Sequence, residues 1–393
     1  MSEIEIDDFN ISALPECYDY NLKTIEVVGA SELSYNQFFN KFMTKNIPCI
    51  IKNIGHDWIC TRKWKKDAHI DHDYFIKTYG DLKAPVADFS DIMFDSHSKT
   101  DMKVCDYMNY LKSRTKEKLL YLKDWHLRKL RPDDNFYEVP IFFAPDWLNE
   151  HAQDCEEDDY MFVYIGPTGT WTPLHADVYR SFSWSINIIG RKKWILFPPG
   201  EETKLKDKFG RLPMQFNEKT HPGVKYFEVT QDEGDAIFVP SCWYHEVHNL
   251  LDTVSINHNW INCCNVGHVW EALQNVLITV ELELADIRHE EDFLSSCQNL
   301  LKADFGMDFT MFTKLLCHMG KKRLDQLKSG ESIGFNNYSL GPNQMKLDLL
   351  IIADTMDKIC YHPLVINEGI MQNELENELI TTKNSISQYL STT

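Results

Sequence analysis

The sequence predicts an α+β protein: a β-barrel or jelly roll over residues 151–264, a mixed α/β region before it at 1–150, and a helical region after it at 265–393. Three observations carry that expectation. Short β-rich runs crowd between Tyr160 and Trp260, separated by Gly and Pro turn signals, as in all-β sandwiches and barrels. The segments before Tyr160 mix strand-like and helix-like runs, and after Gly267 the apolar residues fall into a helical pattern. A length of 393 residues suits two or three domains, or one large domain with helical additions.

In the lead-in, SELSYNQFFNKFMTKN reads as a helix capped by Ser31, with Leu33, Phe38, Phe39 and Phe42 near helical spacing. IPCIIKNI (47–54) reads as a buried strand after Pro48, and Trp58 and Trp64 flank a loop. DHDYFIKTYGDL (71–82) is a helix stopped by Gly80, KAPVADF (83–89) a strand, and MKVCDYMNYLKSR (102–114) a helix. The barrel runs are YMFVYIG, SFSWSINIIG, KKWILFP, KYFEVT, DAIFVP and TVSINHNW. Between them lie turn signals at Pro167 to Gly169, Pro198-Pro199-Gly200, Pro222-Gly223 and Gly234-Asp235. The tail carries WEALQNVLITVELELADI, EDFLSSCQNLLKADF, FTKLLCHMGKKRLDQL and the acidic NELENELI. Its basic stretch KKRLDQLK (321–328) reads as a solvated helix face.

Composition narrows the function classes. Lys and Arg number 40 and Asp and Glu 59, a net charge of −19 that argues against neutralising nucleic-acid phosphates and suits a basic partner. No membrane span is expected, since even Val269 to Ile287 carries Glu271, Glu281 and Glu283. The acidic start MSEIEIDDFN fits neither a secretory signal nor a mitochondrial presequence, so the expected location is cytoplasmic, with the nucleus as the alternative. Eleven cysteines without a CxxC read as thiols of a reducing compartment.

One constellation points to chemistry. His175-Ala176-Asp177 lies beside the barrel runs, and residues two apart on a strand share a face, so imidazole and carboxylate can grip one metal. His245, in VPSCWYHEV near the end of the strand following the Gly234-Asp235 turn, is the best third ligand; His248 and His258 compete for that place. Two histidines and a carboxylate leave three octahedral positions open, as in non-haem Fe(II) oxygenases. The HxD spacing alone is weak, because His69-Ile70-Asp71 repeats it; there Asp71 or Asp73 reads as a helix cap.

The surrounding words are more specific. GPTGTWTPLHADVYRSFSWS, GRKKWILFPPG and VPSCWYHEVHNLLDTVSINHNW resemble the JmjC (jumonji C) family of Fe(II)- and 2-oxoglutarate-dependent oxygenases, most closely the jumonji-domain-containing protein 4 subfamily. The resemblance is dense over 160–262 and looser over 47–90. It implies a double-stranded β-helix, iron ligands His175, Asp177 and His245, and Lys192 on the distal carboxylate of 2-oxoglutarate. A buried ammonium gives that carboxylate a charge-assisted hydrogen bond. Lys193 is expected to point the other way. Thr172 matches a hydroxyl that contacts the same carboxylate, and Asn257 a polar position facing the co-substrate. Ser183, Ser185 and Asn187 share one face, of which one contacts the co-substrate; Tyr164 is a further candidate, equally a core tyrosine.

The resemblance further implies dioxygen as oxidant, and lysyl hydroxylation of the translation termination (class-1 release) factor. Asp154, Glu156, Glu157, Asp158 and Asp159 could receive its basic segment, or simply form a solvated acidic loop. A histone lysine demethylase shares fold and cofactors. A silent JmjC scaffold would be marked by a lost ligand or a lost co-substrate lysine, and all four residues are present. A cupin isomerase or storage protein is disfavoured by GRKKW.

Overall fold

The computed structural model describes residues 2–7, 20–93, 96–114, 118–330, 332, 334–366 and 370–392. Its centre is a jelly roll of eight strands in two sheets. The larger sheet takes Met161–Gly166, Phe182–Ile189, Ala236–Val239 and Thr253–Trp260. The smaller takes Trp171–His175, Lys192–Phe197, Phe227–Gln231 and Tyr244–Asn249. All barrel pairings are antiparallel. Two of these strands, 171–175 and 244–249, were not among the six runs expected to build the barrel, although His175 and His245 were expected on strands. WTPLH holds a proline and YHEVHN a run of polar residues, so neither carries the β-branched alternation that marks the other six.

The lead-in completes the larger sheet. Glu26–Gly29 and Cys49–Lys52 add beside Ala236–Val239, while Leu120–Trp125, Lys83–Met93 and Ser96–Lys103 add beside Met161–Gly166, giving nine strands. Strand 182–189 is consequently buried on both faces. Phe182, Trp184, Ile186 and Ile188 join the main apolar core, where the rings of Phe143 and Trp184 stack at 5.2 Å. Ser183, Ser185 and Asn187 alternate to the other face and pair across the ladder with Asn259, Asn257 and Ser255. A polar row therefore lines the inside of the barrel on the large-sheet side. Trp184, Trp194, Trp243 and Trp260 are all buried, as packing residues should be.

Three local expectations are corrected. The first helix begins later, at Tyr35–Phe38, because Ser34 rather than Ser31 caps it: the Ser34 hydroxyl accepts from the Gln37 N–H while the Gln37 side chain bonds back, a capping box. Between Trp58 and Trp64 a short helix, Ile59–Lys63, replaces the expected loop. The basic stretch 321–328 is not a solvated face throughout. It lies in Phe309–Ser329, and Arg323 on that helix is completely buried. Its guanidinium forks onto Glu150 of Trp147–Asp154 and bonds Asp348 of Pro342–Cys360 at 3.0 Å, with the Trp147 indole on the same Asp348 carboxylate. This charged knot fastens the helical region to the barrel's flank. The remaining large helices are Val266–Glu283, Phe293–Phe305 and Asn373–Thr392. Among the described residues no helix is long and apolar enough to cross a membrane. Ten cysteines are free thiols; Cys17 lies outside the described residues.

Candidate metal and co-substrate site

His175 closes the strand Trp171–His175, and His245 stands second on Tyr244–Asn249; the two are ladder partners with ring centroids 4.4 Å apart. The ladder slips between Thr172 and His175. That irregularity lets both side chains turn inward although they are three residues apart, while Leu174 joins an outer apolar cluster with Ile195 and Phe197. Asp177 lies beyond the strand, in extended conformation at the head of the turn Val178–Arg180, so its approach to His175 does not come from strand alternation as expected. His245 also differs from expectation. The strand after Gly234-Asp235 ends at Val239, the chain turns at Cys242 with φ 65°, and His245 sits near the start of the next strand.

One nitrogen from each ring and one Asp177 oxygen lie within 4.8 Å of one another, the only such grouping of three or more potential ligands among the described residues. Several contacts prepare these atoms for a metal. His175 Nδ1 faces the Pro173 carbonyl at 2.8 Å and His245 Nδ1 the Trp243 carbonyl at 3.1 Å. A carbonyl only accepts, so each Nδ1 carries the proton and each Nε2 lone pair is left for a metal. Asp177 is held at both oxygens, by the Ser183 hydroxyl at 2.6 Å and the Asn259 amide at 2.9 Å. Burial, and then His245, push the His175 pKa down, which keeps the ring neutral as a ligand must be. The competing residues point elsewhere. His248 pairs with Glu246, and His258 bonds the Tyr137 hydroxyl at 2.6 Å against Trp184. Asp71 caps helix His72–Tyr79 through the Tyr74 N–H.

Lys192 enters the same chamber from the small sheet. It is 2% exposed and donates to Ser255 Oγ at 2.6 Å, while Lys193 turns outward to Glu228. Burial, reinforced by Lys123, pushes its pKa down to about 7. Asn257 donates to Ser255 Oγ at 3.1 Å. The hydroxyl of Ser185 is buried without a protein partner. Asn187 gives its amide N–H to the Gln231 carbonyl and presents only an oxygen, the wrong pole for a carboxylate. Ser183 is occupied by Asp177. Tyr164 donates to Asp124 at 2.6 Å and sets its ring 5.8 Å from Lys192 Nζ. Thr172 Oγ1 receives Lys123 Nζ at 3.2 Å. Tyr121 and Lys123 belong to this chamber and were missed; the clue was LYLKDW, a lysine in an otherwise strand-like alternation.

The barrel with this triad is the architecture of a cupin-like oxygenase, and residues 35–265 match the Cupin-like domain family. The chain is 39% identical to the 2-oxoglutarate and iron-dependent oxygenase JMJD4 homolog of Drosophila melanogaster, over 82% of this chain and 85% of that protein. It is 38% identical to JMJD4 of Homo sapiens, over 84% and 83%. Similarity extends to the Arginine-specific demethylase JMJ20 of Arabidopsis thaliana, at 35% over 85% and 78%. The chain belongs to the JMJD4 family of cupin-like oxygenases, whose cofactors are iron and 2-oxoglutarate.

Proposed function

We propose that this oxygenase hydroxylates a side-chain carbon of lysine in the class-1 translation release factor, and that it acts in the cytoplasm. The observation that carries the site assignment is the convergence of His175, Asp177 and His245, with both Nδ1 atoms tied back, beside a buried Lys192. The substrate rests on the subfamily resemblance of the words around both halves of the site. Net charge supports it more weakly, because a chain of −19 favours any basic partner. The acidic segment offers less than its sequence promised: Asp154 pairs with Lys322 and His318, Asp158 with Lys129 and Asp159 with His126.

His175, Asp177 and His245 would hold the iron, leaving one side of it open, and Lys192 with Thr172 would hold the far carboxylate of 2-oxoglutarate. When bound there, iron and 2-oxoglutarate supply an oxidant made from dioxygen, with succinate and carbon dioxide as co-products and one oxygen atom inserted in a substrate C–H bond. Ser183 and Asn259 keep Asp177 oriented. The polar row of Ser185, Asn257 and Ser255 would face the co-substrate.

A second reading, oxidation of N-methyl groups, draws on the similarity to JMJ20, a protein named as an arginine-specific demethylase. The test is substrate-stimulated turnover. With iron and 2-oxoglutarate, unmethylated release factor should raise succinate formation without formaldehyde. Stimulation confined to methylated arginine or lysine peptides, with formaldehyde released, would favour the second reading.

A further inference from the structure

Lys123 is a second ammonium in the chamber of Lys192, half-buried where Lys192 is fully buried. On Leu120–Trp125, Leu122 packs in the main core, so Tyr121 and Lys123 alternate to the opposite face. The ladder to Met161–Gly166 slips between Leu122 and Trp125, and Asp124 takes a left-handed φ of 55°. Irregularities of this kind re-aim side chains, frequently beside active sites. Here Lys123 Nζ meets Thr172 Oγ1 at 3.2 Å and lies 5.6 Å from the ring centres of both Tyr121 and Tyr164. Lys192 Nζ approaches the same Tyr164 ring from 5.8 Å. The nearest carboxylate, Asp124, is engaged by the Tyr164 hydroxyl and by Lys99, both at 2.6 Å. Among the described residues neither Lys123 nor Lys192 forms an ion pair.

A buried and a half-buried ammonium that share one ring and form no ion pair repel each other, and burial costs them hydration. Such a pair is offset when an anion sits between its members. We propose that Lys123 is a second cationic anchor for the distal carboxylate of 2-oxoglutarate, closing with Lys192 and Thr172 a three-sided clamp. This rests on the assignment of Lys192 made above. The clamp makes the site selective for 2-oxo acids with a second negative end. One lysine can satisfy only one side of a carboxylate that has about four lone-pair directions; the second ammonium takes another.

The test uses the full chain loaded with Mn(II), titrated calorimetrically with 2-oxoglutarate and with 2-oxovalerate, in which a methyl group replaces the distal carboxylate. Lys123→Met should weaken 2-oxoglutarate about tenfold or more, the scale of one charge-assisted hydrogen bond. It should leave Mn(II) and 2-oxovalerate binding within about twofold, and Lys123→Arg should restore part of the loss. If Lys192→Met abolishes 2-oxoglutarate binding while Lys123→Met leaves it unchanged, the clamp is refuted and the Lys192 assignment stands. If neither variant changes it, both fall. A measurement on the unaltered chain covers variants that do not fold: 2-oxoglutarate, but not 2-oxovalerate, should protect Lys123 from acetylation by acetic anhydride. Equal labelling with the two ligands would overturn the proposal.

Discussion

His175 and His245 are ladder partners whose ring centroids stand 4.4 Å apart, and each anchors its Nδ1 on the backbone carbonyl two residues before it. The i−2 carbonyl fixes both tautomers without a side chain, so the protein's adjustable support of the metal falls on Asp177.

Ser183→Ala, which removes the 2.6 Å hydrogen bond to Asp177, should therefore weaken metal affinity by about tenfold or more while leaving all three ligands in place. Asn259→Ala should act in the same direction. Competition with a chromophoric chelator measures this, and unchanged affinity in both variants would remove Asp177 from the ligand set.

Binding of 2-oxoglutarate should be pH-dependent in a defined direction. Burial holds Lys192 near a pKa of about 7 in the free protein, and Lys123 near about 8. A bound carboxylate favours the ammonium form and raises these values. Below the free-protein pKa the lysines are already charged and affinity is flat; above it, binding must take up protons and affinity falls as pH rises. Calorimetry of the Mn(II)-loaded chain at pH 8, in buffers of different ionisation enthalpy, should detect net proton uptake. Lys192→Ala should abolish the binding itself while metal affinity persists.

Gly190 sets the entry of Lys192. Its φ is 88°, and a Cβ there would stand 2.3 Å from the Asp252 carbonyl oxygen, a backbone atom that cannot swing away. Gly190→Ala should cost at least about 1 kcal/mol of stability, from the left-handed conformation alone, and weaken 2-oxoglutarate by shifting Lys192. Urea unfolding and calorimetry read the two effects.

Arg323→Ala should destabilise the chain by about 3–5 kcal/mol, because it leaves the buried Asp348 without a cation and Glu150 with Lys322 alone. Replacing one partner of such a knot is worse than replacing all of it by apolar residues. Denaturant unfolding tests the loss, and a change under about 1 kcal/mol would mean that the knot is solvated in solution.

Much of this was legible in the sequence, for identifiable reasons. The six expected barrel strands had β-branched and aromatic alternation with Gly or Pro between them, and their turns carry positive φ at Gly169, Gly200, Gly223 and Gly234. Lys192 stood out because Gly190 and Trp194 bracket it. What stayed hidden depended on contacts between distant segments. The bulge that brings Thr172 and His175 to one side breaks the alternation rule that a sequence reading must use. Lys123 comes from a strand outside the dense motifs, 52 positions from His175 (175 − 123), and only the joining of lead-in and barrel in one sheet places it in the chamber. Arg323 looked like one member of a basic helix face because its partners, Glu150 and Asp348, lie on two other helices.

The most direct test of the central claim is tandem mass spectrometry of unmethylated class-1 release factor, after incubation with the chain, Fe(II), 2-oxoglutarate and dioxygen. One lysine should gain about 16 Da, the mass of a single inserted oxygen, with succinate formed in equal amount and no formaldehyde. The gain should vanish with the His175→Ala chain. An unmodified release factor, alongside formaldehyde released from methylated peptides by the same preparation, would contradict lysyl hydroxylation and establish demethylation instead.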